Sequence, residues 1–358
     1  MKKYKVVVYA ISKNEEKFAK RWYESMREAD EIYVLDTGST DDTVKILESL
    51  GAHVTCEIID PWRFDIARNK SLDLVPNDVD ICVCTDLDEV FTPGWRDKLE
   101  KIWKKSTTRL SYNYNWALDE NDIPLVNFYI QKIHKRDNYK WTHPVHEVLT
   151  YDGVENIVWT DEITLNHYPD RAKSRSSYLP LLELSVKENP TDDRNVHYLG
   201  REYMYYERWN DAIDMLIRHL KMPNATWKDE RCASMRFIAR CYKNLGRYEE
   251  AKMWANKAID EAPYLRDPLV ERMIIAYEQE CWSDVEKYGE RALDIKIHPK
   301  SYINEPFSFD GTVEDLLSIA EYYLGHYNSA LRYVNDALRL KPHDERILNN
   351  RKLMLEKC

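Results

Sequence analysis

Along the first half of the chain, apolar residues fall into short β-rich runs separated by stretches where they recur every three or four positions. That alternation builds a largely parallel sheet covered by helices. Lys5–Ile11 reads as a buried strand. Ser12 and Glu15 have the spacing of a capping box, and Phe18, Trp22 and Met26 mark the inner face of the helix that follows. Glu31–Leu35 is a second strand, and the turn from Asp36 to Asp42 leads into a helix with Val44, Leu47 and Leu50 on one side. His53–Ile59 and Asp80–Thr85 are further strands on either side of a helix over Phe64–Leu74, and the later one runs straight into Asp86-Leu87-Asp88-Glu89. Beyond residue 106 the pattern turns aromatic and alternating. Leu110–Leu118, a turn at 119–122 and Leu125–His134 predict an antiparallel excursion, with Ile157–His167 as one more strand. The charged stretch Asp170–Ser177 reads as the passage to a second domain.

From about residue 178 no strand pattern remains, and a motif returns: an aromatic residue followed three positions later by a small apolar one. Its copies are Trp209/Ala212, Tyr248/Ala251, Trp282/Val285 and Tyr327/Ala330. Ala258, Ala292 and Ala337 add small residues further on, and Pro263, Pro299 and Pro342 end the segments. Tyr248 to Trp282 is a step of 34 positions, as is Ala258 to Ala292, whereas the flanking steps of 39 and 45 require insertions. Leu199-Gly200, Leu245-Gly246 and Leu324-Gly325 precede the aromatic residue, where a turn between paired helices is expected. The period and these positions resemble the tetratricopeptide family, whose hairpins stack because each alone has too little core, and whose stack presents a concave binding face. The expected organisation is an α/β domain over residues 1–172 and an all-α repeat domain over 173–358.

Composition agrees with two packed domains. A chain of 358 residues exceeds what one core usually serves, and 44% hydrophobic with 32% charged residues leaves neither half disordered. A formal net charge of −10 repels a phosphate backbone, which argues against general nucleic-acid binding. The apolar run near the N-terminus is too short for a signal core or a membrane span and reads as the first strand. Seven scattered cysteines form no CxxC pair and no zinc spacing, which points to a reducing, cytoplasmic setting; Cys82 and Cys84 share one strand face and read as core. Phosphate-loop, dinucleotide, nucleophile-elbow and zinc-protease signatures are all missing.

A buried strand that ends in carboxylates places them in the crevice where α/β sheets bind ligands. Asp86 and Asp88, one residue apart, suit a hard divalent cation, with water and phosphate oxygens completing its shell. Solvated strand-end aspartates are the competing reading. Three further segments accompany this D-x-D: residues 10–16 (AISKNEE), residues 34–43 (VLDTGSTDDT) and residues 64–69 (FDIARN). Together, over residues 4 to 170, the four resemble family 2 glycosyltransferases of the GT-A fold. The resemblance implies a nucleotide-diphospho-sugar transferase domain in which Ala10, Ile11, Glu15 and Asp36 face the base and ribose. It places Arg68, Asn69, Asp86 and Leu87 at the donor, and Asp86 and Asp88 at Mn2+ or Mg2+. An exposed helix position is the alternative for Arg68.

Residues 141–149 (WTHPVHEVL) stand where the family often has an acidic pair near the acceptor. Inverting transfer needs a base for the acceptor proton, for which Glu147 is the first candidate and His146 the second, with His143 positioning either. His167 is a candidate third metal ligand or phosphate contact, against a plain hydrogen-bonding role. Trp62, Trp116 and Trp141 are candidates for stacking on a sugar, against burial in the core. The expected activity is metal-dependent inverting transfer from a UDP-type sugar to a peptide, protein or glycan recruited through the repeats. A non-catalytic nucleotide-binding scaffold whose repeats hold a protein is the alternative. Nucleotidyl transfer would need a Gly-rich loop after the first strand, which residues 10–15 lack.

Overall fold

The computed structural model describes residues 3–119, 121–170 and 178–357. It divides into two compact units, Met1–Ser185 and Val186–Cys358. The boundary expected between residues 172 and 173, and the charged passage over 171–177, lie outside the described residues. Among the described residues no helix is long and apolar enough to cross a membrane.

In the first unit the chain runs β1 (Val6–Ser12), α1 (Glu16–Met26), β2 (Glu31–Asp36), α2 (Thr43–Leu50), β3 (His53–Cys56), α3 (Phe64–Asp73) and β4 (Ile81–Cys84). It continues through β5 (Glu89–Phe91), α4 (Trp95–Ile102), β6 (Arg109–Leu118), β7 (Pro124–Lys135), β8 (Tyr139–Thr142), β9 (Val148–Tyr151) and β10 (Ile157–His167). Eight strands form one sheet in the order β3-β2-β1-β4-β7-β6-β10-β5, and β8 pairs with β9 alone. β1 to β4 are parallel neighbours, and the antiparallel β7 joins them to the excursion strands. Because side chains alternate along a strand, Val6, Val8 and Ala10 pack with Trp22, Leu47 and Leu99 on one face. Val7 and Tyr9 pack with Cys82, Cys84, Leu72 and Trp141 on the other. Burial on both sides of the sheet explains why the central strands β1 and β4 read as nearly unbroken apolar runs.

The capping box expected at Ser12 and Glu15 does not form. Ser12 is the last residue of β1, and its hydroxyl donates to Asp36 Oδ2 at 2.8 Å. The donors around the start of α1 are met by the neighbouring turn instead: Glu15 N by Thr43 Oγ1 at 2.7 Å and Glu16 N by Asp41 Oδ2 at 3.2 Å. β3 also stops three residues earlier than expected, and Ile58 beyond it is 77% exposed.

His134 on β7 is fully buried between the Tyr9 hydroxyl at 2.8 Å and the Lys135 carbonyl at 2.7 Å. Burial pushes its imidazole down to about 3, so it stays neutral where an unfolded histidine would bind a proton. A depressed pKa contributes stability above the unfolded value, near 6.5, and that contribution is lost as pH falls toward the folded one. Between roughly pH 7 and 5 this group alone should cost about 2 kcal/mol. Denaturant midpoints across that range should therefore fall less steeply in His134→Gln than in the unmodified chain, and parallel slopes would refute the assignment.

The second unit is helical: α5 (Tyr178–Glu188) leads into it, followed by α6 (Asp193–Tyr205), α7 (Trp209–Lys221), α8 (Lys228–Asn244), α9 (Tyr248–Glu261) and α10 (Asp267–Glu278). α11 (Trp282–Asp294), α12 (Thr312–Leu324), α13 (Tyr327–Leu340) and α14 (Glu345–Leu355) complete it. Trp209, Tyr248, Trp282 and Tyr327 each open the second helix of a hairpin, and Ala212, Ala251, Val285 and Ala330 are each fully buried one turn later. The 45-residue step contains the connection between α11 and α12, with its 3-10 turn at Pro306–Ser308. Gly246 and Gly325 hold the expected turns at φ 71° and 83°. Gly200 does not. It lies inside α6, where an added Cβ would meet Leu216 Cγ at 2.6 Å, so its glycine lets α6 and α7 approach. Glu207, at φ 58°, occupies the turn after α6.

Candidate active site

Ser12 ends β1, Asp36 ends β2, and Asp86 follows β4 by two residues, so the three parallel strands deliver these residues to one carboxyl edge of the sheet. Asp36 is buried and preorganised. Its Oδ1 accepts from Gly38 N at 3.0 Å and Ser39 N at 2.8 Å, and its Oδ2 from Ser12 Oγ at 2.8 Å and Ser39 Oγ at 2.5 Å. Those four bonds fill a carboxylate's acceptor capacity, so any further donor would have to replace one of them. Ala10 is fully buried in β1, Ile11 is half-buried, and Glu15 precedes α1 at the same edge.

At the end of β4, Thr85 is fixed by the Trp22 indole N–H at 3.0 Å. The next residue, Asp86, is gripped from two sides: Arg68 Nη2 lies 2.5 Å from Oδ1 and Lys132 Nζ 3.0 Å from Oδ2. Lys132 also reaches Glu89 Oε1 at 3.1 Å, while Glu89 Oε2 accepts the Asp86 amide at 2.8 Å. Arg68 donates from Nε to Glu147 Oε1 at 2.9 Å, and its guanidinium lies over the Trp141 ring at 5.6 Å. Burial opposes the charge on Asp86, but Arg68 and Lys132 outweigh it and hold the carboxyl well below its ordinary range. Burial likewise opposes the charge on Lys132, and Asp86 and Glu89 hold its pKa above the ordinary value. Glu89 moves the other way: burial raises its pKa, aided by Asp86 and Asp88 and only partly countered by Lys132.

Asp88 pairs elsewhere. Its carbonyl accepts from Tyr168 N at 2.8 Å, and its Oδ2 lies 3.4 Å from His167 Nε2. The other ring nitrogen, Nδ1, is 3.0 Å from the Trp116 carbonyl, which can only accept, so Nδ1 carries a proton and Nε2 is the nitrogen turned toward Asp88; burial opposes a charged ring, but the Asp88 carboxylate outweighs it and raises the pKa. A carboxylate oxygen and an imidazole nitrogen at that separation stand near the spacing of two adjacent ligands around an octahedral divalent cation, about 3.0 Å. Asp88 and His167 therefore suit a metal, whereas both oxygens of Asp86 are committed to cationic side chains.

The structure thus brings Arg68, Asp86 and Glu147 into one ion-paired cluster and sets Asp88 against His167. Arg68 is buried, not an exposed helix position. Asn69 turns away from this cluster: its amide bridges the Trp141 backbone, accepting from N and donating to O, each at 2.9 Å. Leu87 is buried. His143 and His146 occupy the left-handed region at φ 78° and 51°, in a loop tied to the start of α3 by Phe64 N donating to Pro144 O at 2.9 Å. His146 packs edge-on to Tyr178, centroids 5.8 Å apart. Trp141 is buried, with its indole N–H on Tyr9, and offers no stacking face; Trp62 is half-buried against Phe64. Trp116 is 44% exposed and stacks beside His167 at 6.4 Å. Lys132 and Glu89 were not singled out from the sequence. The available signal was a lysine between Ile130 and His134 on one face of a strand, a poor place for charge without a buried partner.

Residues 7–147 match the family model described as glycosyl transferase family 2, and residues 237–264 the one described as tetratricopeptide repeat. A protein of Rickettsia bellii described as an uncharacterized glycosyltransferase is 33% identical over 100 residues, which is 28% of this chain and 33% of the relative. One of Rickettsia conorii with the same description is 35% identical over 101 residues, 28% of this chain and 34% of the relative. The chain thus spans about a third of the length of these relatives. Among solved structures, MamA aligns with 50% of this chain and 99% of its own at 15% identity and a TM-score of 0.38. The chain carries a domain of the family 2 glycosyltransferases, on a GT-A-like mixed sheet, followed by tetratricopeptide-type helical repeats.

Proposed function

We propose that the chain transfers a glycosyl group, with inversion, from a nucleoside-diphosphate sugar of the UDP type to a peptide, protein or glycan acceptor engaged with help from the repeats. The observation that carries this reading is the pairing of Asp88 with His167 beside the Arg68–Asp86–Lys132 cluster, on the sheet edge that also ends in Asp36. These residues set a candidate cation site beside two cationic side chains, and stabilising positive charge is what a departing nucleotide diphosphate requires. A bound Mn2+ or Mg2+ would offset the diphosphate charge, held by Asp88 and His167. Asp36 and the β1 end orient the nucleoside, Arg68 and Lys132 hold the Asp86 carboxylate, and Glu89 holds its backbone amide. Glu147, held by Arg68 Nε through Oε1, takes the acceptor proton on its second oxygen, and His146 is the alternative base.

The test is hydrolysis and transfer across a panel of nucleotide sugars with added manganese. The unmodified chain should turn over at least one donor, and Asp88→Ala should lower that rate by about 100-fold with its fold intact by circular dichroism. If the unmodified chain neither binds nor hydrolyses any donor, a non-catalytic scaffold is the correct description. Under the same conditions Glu147→Gln should lose about 100-fold in kcat with little change in donor KM, the split expected of a base. Loss confined to His146→Gln would transfer the role.

A further inference from the structure

In the repeat unit, the first helices bring together three side chains that neither the family match nor the proposed transfer uses. Asp193 lies in the first turn of α6, His219 in the last turn of α7 and Glu230 in the first turn of α8. One ligand atom from each falls within 4.8 Å of the other two. Helix dipoles favour two carboxylates at N-termini and an imidazole at a C-terminus, which accounts for each residue separately. They do not account for His219 Nε2. The ring is fully buried, and this nitrogen makes no hydrogen bond while it faces Glu230 Oε1 at 3.3 Å.

From these contacts we propose that Asp193, His219 and Glu230 bind a divalent transition cation of the zinc type that ties α6, α7 and α8 together. At Zn–N and Zn–O bonds near 2.1 Å, adjacent tetrahedral ligands stand about 3.4 Å apart, close to the His219–Glu230 separation. The surroundings supply what ligands need. Ser234 Oγ lies 2.8 Å from His219 Nδ1, so that nitrogen can donate there and leave the Nε2 lone pair for the cation. Tyr302 donates to Glu230 Oε2 at 2.6 Å, and Asn224 donates to Asp193 Oδ1 at 2.8 Å, each leaving the opposite oxygen for coordination. Asp193 is half-buried where the other two ligands are buried, so one side of the cluster meets solvent, from which a water would complete a four-ligand shell. One imidazole and two carboxylates make a nitrogen-oxygen set that suits zinc.

The experiment is the zinc content of the full chain, prepared without a histidine tag and exhaustively dialysed, followed by competition with a chromophoric chelator. The unmodified chain and Asp88→Ala should each retain close to one equivalent of zinc. A strong chelator should lower Tm and added Zn2+ restore it. His219→Gln and Glu230→Gln should lose the metal, and Ser234→Ala, which keeps all three ligands, should weaken zinc affinity by roughly 10–100-fold. Should either ligand variant misfold, the Ser234→Ala affinity and the chelator-dependent Tm of the unmodified chain decide the matter. Absence of bound zinc after incubation with excess Zn2+ overturns the proposal. So does zinc that survives in Glu230→Gln but disappears in Asp88→Ala, which would place it at the other domain's carboxylates.

Discussion

Arg68→Ala is expected to lose roughly 10²–10³-fold in kcat/KM and about 3–5 kcal/mol of stability together, because one buried guanidinium holds two carboxylates from different parts of the chain. Arg68 bonds Asp86 through Nη2 and Glu147 through Nε. Removing it leaves Asp86 with Lys132 as its one cationic partner and takes from Glu147 the cation that holds its carboxylate. Burial of this group opposes its charge, and Asp86, Cys84 and Glu147 hold its pKa above the ordinary value. The loss is therefore of a paired interior charge, not a surface ion pair worth a few tenths of a kcal/mol. Arg68→Lys retains a charge but lacks the planar fork that reaches both acids, so it should recover only part of each loss. Urea denaturation and donor kinetics on the same preparations measure both effects. An Arg68→Ala midpoint equal to that of the unmodified chain would remove the structural claim.

Lys132→Met should produce a loss of similar size by leaving Asp86 and Glu89 facing one another without their shared cation. Lys132 Nζ sits 3.0 Å from Asp86 and 3.1 Å from Glu89, and Glu89 is 1% exposed. Breaking such a pair by removing one partner typically costs about 3–5 kcal/mol, whereas replacing both partners by neutral groups of similar shape often costs little. The double variant Lys132→Met/Glu89→Gln should therefore be more stable than Lys132→Met alone. Its second substitution removes one buried charge, and the carboxamide that replaces the Glu89 carboxylate can still accept the Asp86 amide. The coupling energy, read from a double-mutant cycle, should fall in the range of about 0.5–3 kcal/mol seen for residues in contact. Additive losses would mean that Lys132 acts through packing alone. Donor turnover should follow the same order, since Glu89 fixes the backbone amide from which the D-x-D begins.

Much of the architecture was legible in the chain because it rests on local periodicity. Phe18, Trp22 and Met26 recur at helical spacing, and they are the buried face of α1. Ile157–His167 was bounded correctly, and each aromatic-small pair of the repeats opens a helix where the 3.6-residue rhythm requires one. The order of the sheet was not legible, since Ile133 and His134 meet β4 through a pairing about 50 residues away in sequence. The capping box at Ser12 failed for a related reason. The Ser12 hydroxyl donates to the carboxylate delivered by the neighbouring strand, and the Glu15 amide it would have accepted from is taken by Thr43.

The candidate site divides along the same line. Residues next to one another in sequence announced themselves: Asp86 and Asp88 at a strand end, Asp36 in its turn, and Arg68 within the family's segment. The sequence by itself determined which elements form, which faces they bury and which strand ends carry acid, because each of these follows from residues a few positions apart. Only the tertiary structure decided which acid meets which base. It gave Asp86 to Arg68 and Lys132, Asp88 to His167, and Glu147 to Arg68, across separations of 18, 46 and 79 residues for those involving Asp86 and Glu147. Charge pairing falls off within a few ångströms in a screened medium and has no period along the chain, so nothing in the order of residues records it.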